Sequence, residues 1–312
     1  MLRRHCSTTG GSMRLDYLVV AFSGDLGLLR VQARSMARYL DPDSTGTIFI
    51  VNNDDDRSAF ARRFEREIRP EYGALGSQVE LLARTDLLAK EAKCNGYWRQ
   101  QAIKLRGHAV ARMPAYVTLD CKNSLIRPVG AATFLQPDGR LVAPQRPLRD
   151  RFKGSMHYFG VPEAEMPEHV IDIYTPVAIW REQAAALDAH IRAREGFGVD
   201  VLLSRPVARQ RPRLFEFLIY GAFLHAYAGG IEAHHAFLRG GLSVTYMATT
   251  PEDPAGPALR ALDNPRWPMM GVHRRTAQAP EDVRRAFAEA WRRFGLVASV
   301  EEGLGLLAPP AA

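Results

Sequence analysis

Cysteine is scarce in this chain: Cys6, Cys94 and Cys121 are the three in 312 residues. Their number is odd and their spacings match no zinc or redox pattern, so they read as reduced thiols of a soluble, cytoplasmic protein. Long apolar runs are missing too. None approaches the roughly 18 residues needed to cross a bilayer, which excludes a transmembrane helix. Residues 1–11 carry two arginines with no apolar stretch behind them, so they are not a secretory signal. Met13 opens a cleaner segment, and residues 1–12 are expected to be a disordered leader or a misplaced start. No Gly-x-Gly-x-x-Gly follows the first apolar run and no Gly-Lys-Ser/Thr occurs, which argues against a dinucleotide site and a P-loop. The absence of Gly-x-Ser-x-Gly argues against a common hydrolase class. His234-His235 and the other histidines lack the metalloprotease spacing. Lys+Arg outnumber Asp+Glu by 41 to 34, a net charge of +7. That surplus suits anionic ligands. It is scattered over helices with no aromatic-interleaved stripe, so nucleic acid is not an expected partner.

What is present is an ordinary globular mixture, 46% hydrophobic and 24% charged. The short apolar run 15–22 reads as a buried strand. Residues 26–40 read as a helix with Leu29, Ala33, Met36 and Leu40 on one face. A strand over 47–52, a polar helix over 58–68 and a strand over 79–83 follow. Strand–helix–strand–helix–strand predicts a parallel sheet covered on both faces. Residues 96–113 form a helix with Trp98, Ala102, Leu105 and Ala109 as its apolar stripe and Gln101, Lys104 and His108 beside it. Trp98 is expected in the core. A strand over 116–120 then ends in a carboxylate. After Pro128 the rhythm changes. Pro137-Asp138-Gly139 signals a hairpin, helices are expected over 181–195, 214–227 and 280–294 (Pro280 at its first position), and a strand over 240–247. The reading is α/β: one domain over 13–300, mostly parallel in its first half and mixed in its second, with a loose tail over 301–312. Polar residues gather where the strands end: Ser23 and Asp25, Asn52 to Asp56, Asp120 to Asn123. Ligands of open α/β sheets bind at that edge.

Five segments in order carry a resemblance. Trp98-Arg-Gln-Gln-Ala-Ile-Lys104 precedes Asp120-Cys-Lys-Asn123, with Arg127-Pro128 close behind. Ile173-Tyr-Thr-Pro-Val177, Phe215-Glu-Phe-Leu-Ile-Tyr-Gly221 and Gly271-Val-His-Arg-Arg275 follow. From about Leu15 to Arg275 the chain resembles the GT-A type nucleotide-diphospho-sugar transferases, and is similar above all to a bacterial family of unknown function within that group. The resemblance implies a GT-A-like, Rossmann-like sheet and transfer of a sugar to a hydroxyl acceptor, a glycan or lipid-linked carrier of cell-surface polysaccharide or glycolipid. It implies no membrane span, although peripheral contact with anionic lipid is compatible with the basic balance. By the same resemblance Ser23, Asp25, Asn52 and Asp54 hold the nucleoside. Arg99, Gln101, Lys104, Lys122 and Arg274 line the nucleotide and phosphate pocket, and Asp120 is the central ligand. Glu216, an acid beside Phe215 and Phe217, is the candidate base; its plainer reading is a salt bridge to Arg213. The family's Asp-x-Asp is degenerate here, since the second aspartate is missing. Two readings of charge neutralisation follow: Mn²⁺ or Mg²⁺ on Asp120 with Asn123 and His273, or positive charge supplied by Lys122 itself. Tyr220 is a further candidate. A catalytically inactive nucleotide- or sugar-binding module is the competing function. A phosphohydrolase would need the second carboxylate and an earlier motif.

Overall fold

The computed structural model describes residues 13–90, 96–204, 214–250 and 253–308. The expected leader 1–12, Cys6, Cys94, Arg213 and residues 309–312 lie outside the described residues. The chain opens with β1 (Leu15–Ala21), a 3-10 turn (Ser23–Asp25), α1 (Leu26–Tyr39), β2 (Thr45–Asn52), α2 (Arg57–Arg63), β3 (Val79–Ala83), α3 (Gly96–Arg106) and β4 (Ala115–Asp120). Every residue of β1 and β2 is buried, as strands covered on both faces require. Alternation splits them between two cores. Tyr17, Val19, Ile48 and Ile50 pack with Leu29 and Met36 of α1 on one side. Leu18, Val20, Phe49 and Val51 pack with Ile103 and Leu105 of α3 on the other.

The second half adds β5 (Asn123–Leu125), α4 (Ala131–Phe134), β6 (Leu141–Pro147), α5 (Gly154–Tyr158), β7 (His169–Ile171), β8 (Val177–Trp180), α6 (Arg181–Glu195), α7 (Val199–Ser204) and α8 (Glu216–Tyr227). It continues with β9 (His235–Arg239), β10 (Ser243–Tyr246), α9 (Gly256–Ala261), β11 (Met269–Val272), α10 (Glu281–Arg293) and α11 (Val300–Leu307). The central sheet has the order β3-β2-β1-β4-β8, parallel except for β8. Two three-stranded sheets, β10-β11-β5 and β7-β6-β9, make the C-terminal half mixed, as the sequence suggested. The chain runs outward from β1 to β3 and returns on the other side of β1 as β4. This reversal opens a crevice at the carboxyl ends of β1 and β4, the place where such sheets bind ligands. Register puts Val20 opposite Asp120 and Ala21 opposite Asn52, so the polar strand ends share one edge.

Several expectations need correction. The helix over 96–113 stops at Arg106 and tightens into a 3-10 turn at Gly107–Ala109. Gly107 lies so close to the Tyr116 ring that a Cβ would collide with it. The turn sends His108 toward Arg106, 3.3 Å away, and out of line with Gln101 and Lys104. The helix over 58–68 is α-helical to Arg63 and then widens into a π-turn. Pro280 is an extended cap before α10 rather than its first residue, with ψ 153°. The hairpin at Pro137–Gly139 forms, with Gln136 N donating to Arg140 O at 2.8 Å, but its first flank is one bridging residue, Leu135. The tail is not loose as far as Leu307. Ser299 Oγ caps α11 by accepting from Glu302 N at 3.1 Å, and Gly303 lets α11 settle against Ala288 of α10.

Candidate functional site

Between the ends of β1, β2 and β4 and the helices α3 and α8 lies a cleft of about 650 Å³. Its floor is Asp120, the last residue of β4. The turn that follows is held from below by α1. Gln32, fully buried, donates from Nε2 to the carbonyls of Asp120 and Asn123 at 2.8 Å each, and Ser35 Oγ accepts from Leu125 N at 2.9 Å. From above, α3 is tied to β4 by Tyr116 Oη, which donates to Lys104 O at 3.0 Å. Helical spacing then aims Gln100 and Lys104, one turn apart, at the strand end.

Asp120 collects four side-chain donors. Gln100 Nε2 donates to Oδ1 at 2.7 Å, and Lys104 Nζ lies 2.8 Å from the same oxygen. Lys122 Nζ pairs with Oδ2, and Thr175 Oγ1 is 3.0 Å from it. Burial opposes the Asp120 charge, but Lys104 and Lys122 outweigh it and hold the carboxyl far below the usual aspartate range. Lys104 reaches on to Glu216 Oε1 at 3.3 Å and sits over the Phe217 ring. Burial works against its ammonium too, yet Asp120 and Glu216 raise its pKa above the ordinary lysine value. Glu216 opens α8 and is buried; burial pushes its carboxyl up against the pull of Lys104. The ion partner shown for Glu216 is therefore Lys104, a residue 112 positions earlier.

On the β1 side, Asp25 is half-buried beside Arg274, Asp120, Lys122 and Asp54. Burial raises its pKa to about 7, with Arg274 pulling the other way. Asp54 and Arg99 line the cleft; Arg99 pairs with Asp55 at 3.2 Å. Arg274 lies over the Phe22 ring at 4.8 Å. Both amide atoms of Gln101 are buried in the cleft wall without a hydrogen-bond partner among the described residues. Trp98 is buried, as expected, and leans on Phe215.

Four candidates do not line the cleft: Asn123, fully buried beneath it, and Asn52, Ser23 and Tyr220. Asn52 is buried and spends its Oδ1 on Asp54 N at 2.9 Å, shaping the loop. Ser23 is exposed and lines an adjoining cleft of about 560 Å³; its backbone N donates to Asp54 Oδ2 at 2.6 Å. Tyr220 is fully buried against His235 at 3.1 Å. Conversely, Gln32, Gln100 and Thr175 build the site without having been singled out. The Gln-Gln and Thr-Pro segments pointed to the last two, but no local pattern marks Gln32.

The proposed metal ligands fare poorly as a donor set. Asp120 is engaged by Gln100, Lys104 and Lys122, and the single hydroxyl hydrogen of Thr175 is shared between Asp120 Oδ2 and Asn123 Oδ1. Asn123 Oδ1 accepts from Asp120 N at 2.9 Å and lies 2.7 Å from Thr175 Oγ1. His273 Nδ1 accepts from Arg275 N at 3.2 Å, and burial lowers its pKa to about 4. No group of three or more His, Cys, Asp or Glu is arranged to hold a metal among the described residues. A divalent cation asks for six or more oxygens. Two ammonium groups already occupy its place around Asp120, so these residues do not fit resident Mn²⁺ or Mg²⁺. No helix among the described residues is long and apolar enough to cross a membrane.

The architecture is that of GT-A glycosyltransferases. It is similar to the crystal structure of galactosyltransferase LgtC in complex with donor and acceptor sugar analogs, with TM-score 0.50 and 10% identity over 96% of this chain and 97% of that one. It is also similar to the bifunctional glycosyltransferase WbbM, with TM-score 0.45 and 11% identity over 83% of this chain and 46% of that one. For glycosyltransferase GlyE of Streptococcus pneumoniae TIGR4 the TM-score is 0.45 and the identity 11%, over 94% of this chain and 62% of that one. At 10% identity the likeness to LgtC is one of fold. No curated protein sequence matches the chain. Residues 20–245 match the family of unknown function DUF6492, and the chain belongs to that family.

Proposed function

We propose that the protein is a glycosyltransferase moving a sugar from a nucleoside-diphosphate sugar to a hydroxyl acceptor. The observation that carries this reading is the cleft at the β1/β4 reversal, where cations, strand-end acids and a partnerless amide converge on one space. Asp25 and Asp54 serve the nucleoside end. Arg99, Lys122 and Arg274 face the diphosphate, while Asn52 and Ser23 shape the loop behind them. Gln101 offers a donor and an acceptor to the bound donor substrate. Glu216, kept more basic by burial, takes the proton of the acceptor hydroxyl. An acceptor on a glycan or lipid-linked carrier, as in cell-surface polysaccharide or glycolipid synthesis, agrees with the +7 balance, which favours anionic surfaces. A cytoplasmic location goes with that supply of nucleotide sugar. A binding module of the same fold is the second reading, favoured by the Lys104–Glu216 pair, which ties up the base.

The test is a panel of nucleotide sugars incubated with protein and candidate acceptors, with release of the nucleoside diphosphate measured by chromatography. The transferase reading expects one donor to be consumed and Glu216→Gln to lower turnover on the order of 100-fold. Full turnover in Glu216→Gln removes the base role. Binding without consumption of any donor favours the module.

A further inference from the structure

The resemblance leads one to expect a divalent cation at the end of β4, and the side chains there decline it. We infer that this site carries its own cation: Lys122, anchored by Asp120, neutralises the diphosphate of the donor, and phosphate binding needs no metal. The inference rests on the donor reading above and specifies how that site handles charge.

Placement is the first argument. Lys122 occupies the position after Asp120 where an Asp-x-Asp pattern has its second acid. The turn carrying it is rigid. The flanking carbonyls of Asp120 and Asn123 are fixed by Gln32, and Lys122 O accepts from Val272 N of β11 at 3.0 Å. An ammonium on such a turn is held in position before ligand arrives, which reduces the cost of reorganisation.

The second argument is the division of labour between the two lysines. Lys104 lies between Asp120 and Glu216, both within 3.3 Å, and its charge is spent inside the wall. Both lysines line the cleft, but Lys122 pairs with Asp120 alone among the described residues. An ammonium has three hydrogens, so Lys122 keeps donors for a ligand. Arg274 lines the same cleft and supplies a second cation. Asp120, in this account, is the anchor of the lysines rather than a metal ligand.

In the reaction the bond from the anomeric carbon to the diphosphate oxygen breaks and a bond to the acceptor oxygen forms. The acceptor proton passes to Glu216. The electron pair of the broken bond stays on the departing diphosphate, where Lys122 and Arg274 meet the growing charge. No added Lewis acid enters the balance.

The experiment is a calorimetric titration of inorganic pyrophosphate, in EDTA and then in Mn²⁺, into wild type, Lys122→Gln and Lys122→Arg, followed by UDP, GDP and CDP. The inference expects pyrophosphate to bind wild type in EDTA. Lys122→Gln should weaken it on the order of ten-fold and Lys122→Arg should restore most of the loss. Binding that requires Mn²⁺, or that is as tight in Lys122→Gln as in wild type, overturns it. The wild-type comparison of EDTA with Mn²⁺ decides the matter even if Lys122→Gln does not fold. If pyrophosphate binds through Lys122 but no nucleoside diphosphate binds better, the inference stands and the nucleotide-donor reading fails.

Discussion

Asp16 and Asp120 sit on neighbouring central strands, β1 and β4, near opposite ends of the same sheet, and both are held by several donors. Asp16 is fully buried at the amino end. Its Oδ1 accepts from Thr47 N at 2.7 Å, and its Oδ2 from Arg112 N at 2.6 Å and Met113 N at 2.8 Å. Gly46 is required beside it, since a Cβ there would collide with Oδ1. All these donors are backbone amides, one from β2 and two from the loop that leads into β4. Asp120 is instead held by side chains, Gln100, Lys104, Lys122 and Thr175, of which the first three also line a cleft. An acid satisfied by backbone is a clamp. An acid satisfied by cationic side chains at a cleft wall stores charge that a ligand can engage. The difference separates the stabilising end of the sheet from the end that carries the candidate site.

The sharpest way to break this contrast is to remove each acid. Asp120→Ala should lower turnover on the order of 100-fold or more, because both lysines lose their anchor. It also leaves Lys122 without its ion partner and Lys104 with Glu216 alone, so a lower melting temperature is expected alongside. Asp16→Ala should cost about 3 kcal/mol through three amides left without an acceptor, a fall of roughly 5–10 °C in melting temperature. Its donor affinity should stay at the wild-type value. Kinetics and melting curves of the two variants check both halves. An Asp16 variant that folds normally but loses donor affinity would erase the distinction.

Asp25 allows a finer test, through pH. Its folded pKa of about 7 lies above the ordinary aspartate value of 3.8. Between those values the folded chain holds a proton that the unfolded chain has released. This contribution to stability is therefore fully present below about pH 4 and is lost as pH rises through about 7. Melting temperature followed from pH 4 to 8 should show that decline in wild type and a flatter profile in Asp25→Asn. A neutral Asp25 also removes one negative charge from the cleft. Affinity for a nucleoside diphosphate should then rise as pH falls through 7 in wild type, with a weaker trend in Asp25→Asn.

Much of the functional end was legible in the sequence because it is written locally. The apolar runs of β1 and β2, the strand ending at Asp120 and the helix bearing Gln101 and Lys104 are each contiguous, so period and position sufficed. What escaped is built from distance in sequence. Gln32 reaches the turn 88 and 91 residues on, and Thr175 reaches Asp120 across 55. The smaller sheets rest on β5 and β7, three residues each, too short for alternation to be read. The metal expectation followed from the motif, and two lysines meeting on one carboxylate could be read from neither lysine alone. For residues 52–56 a nucleoside wall and a plain polar turn are both compatible with the sequence, and Asn52 Oδ1, accepting from Asp54 N, is an Asx-type support of its own loop.

The smallest expected effect gives the most direct test. Gln101 has two buried polar atoms without partners among the described residues, an arrangement that costs the free protein stability and is repaid when a ligand engages them. Calorimetric titration of UDP, GDP and CDP into wild type and Gln101→Ala, with melting curves of both, examines the cleft itself. The account predicts that one nucleotide binds wild type, that Gln101→Ala weakens it roughly five- to ten-fold, and that the free variant melts no lower than wild type. No binding by any of the three, or binding indifferent to Gln101, would contradict the placement of the donor at this end of the sheet.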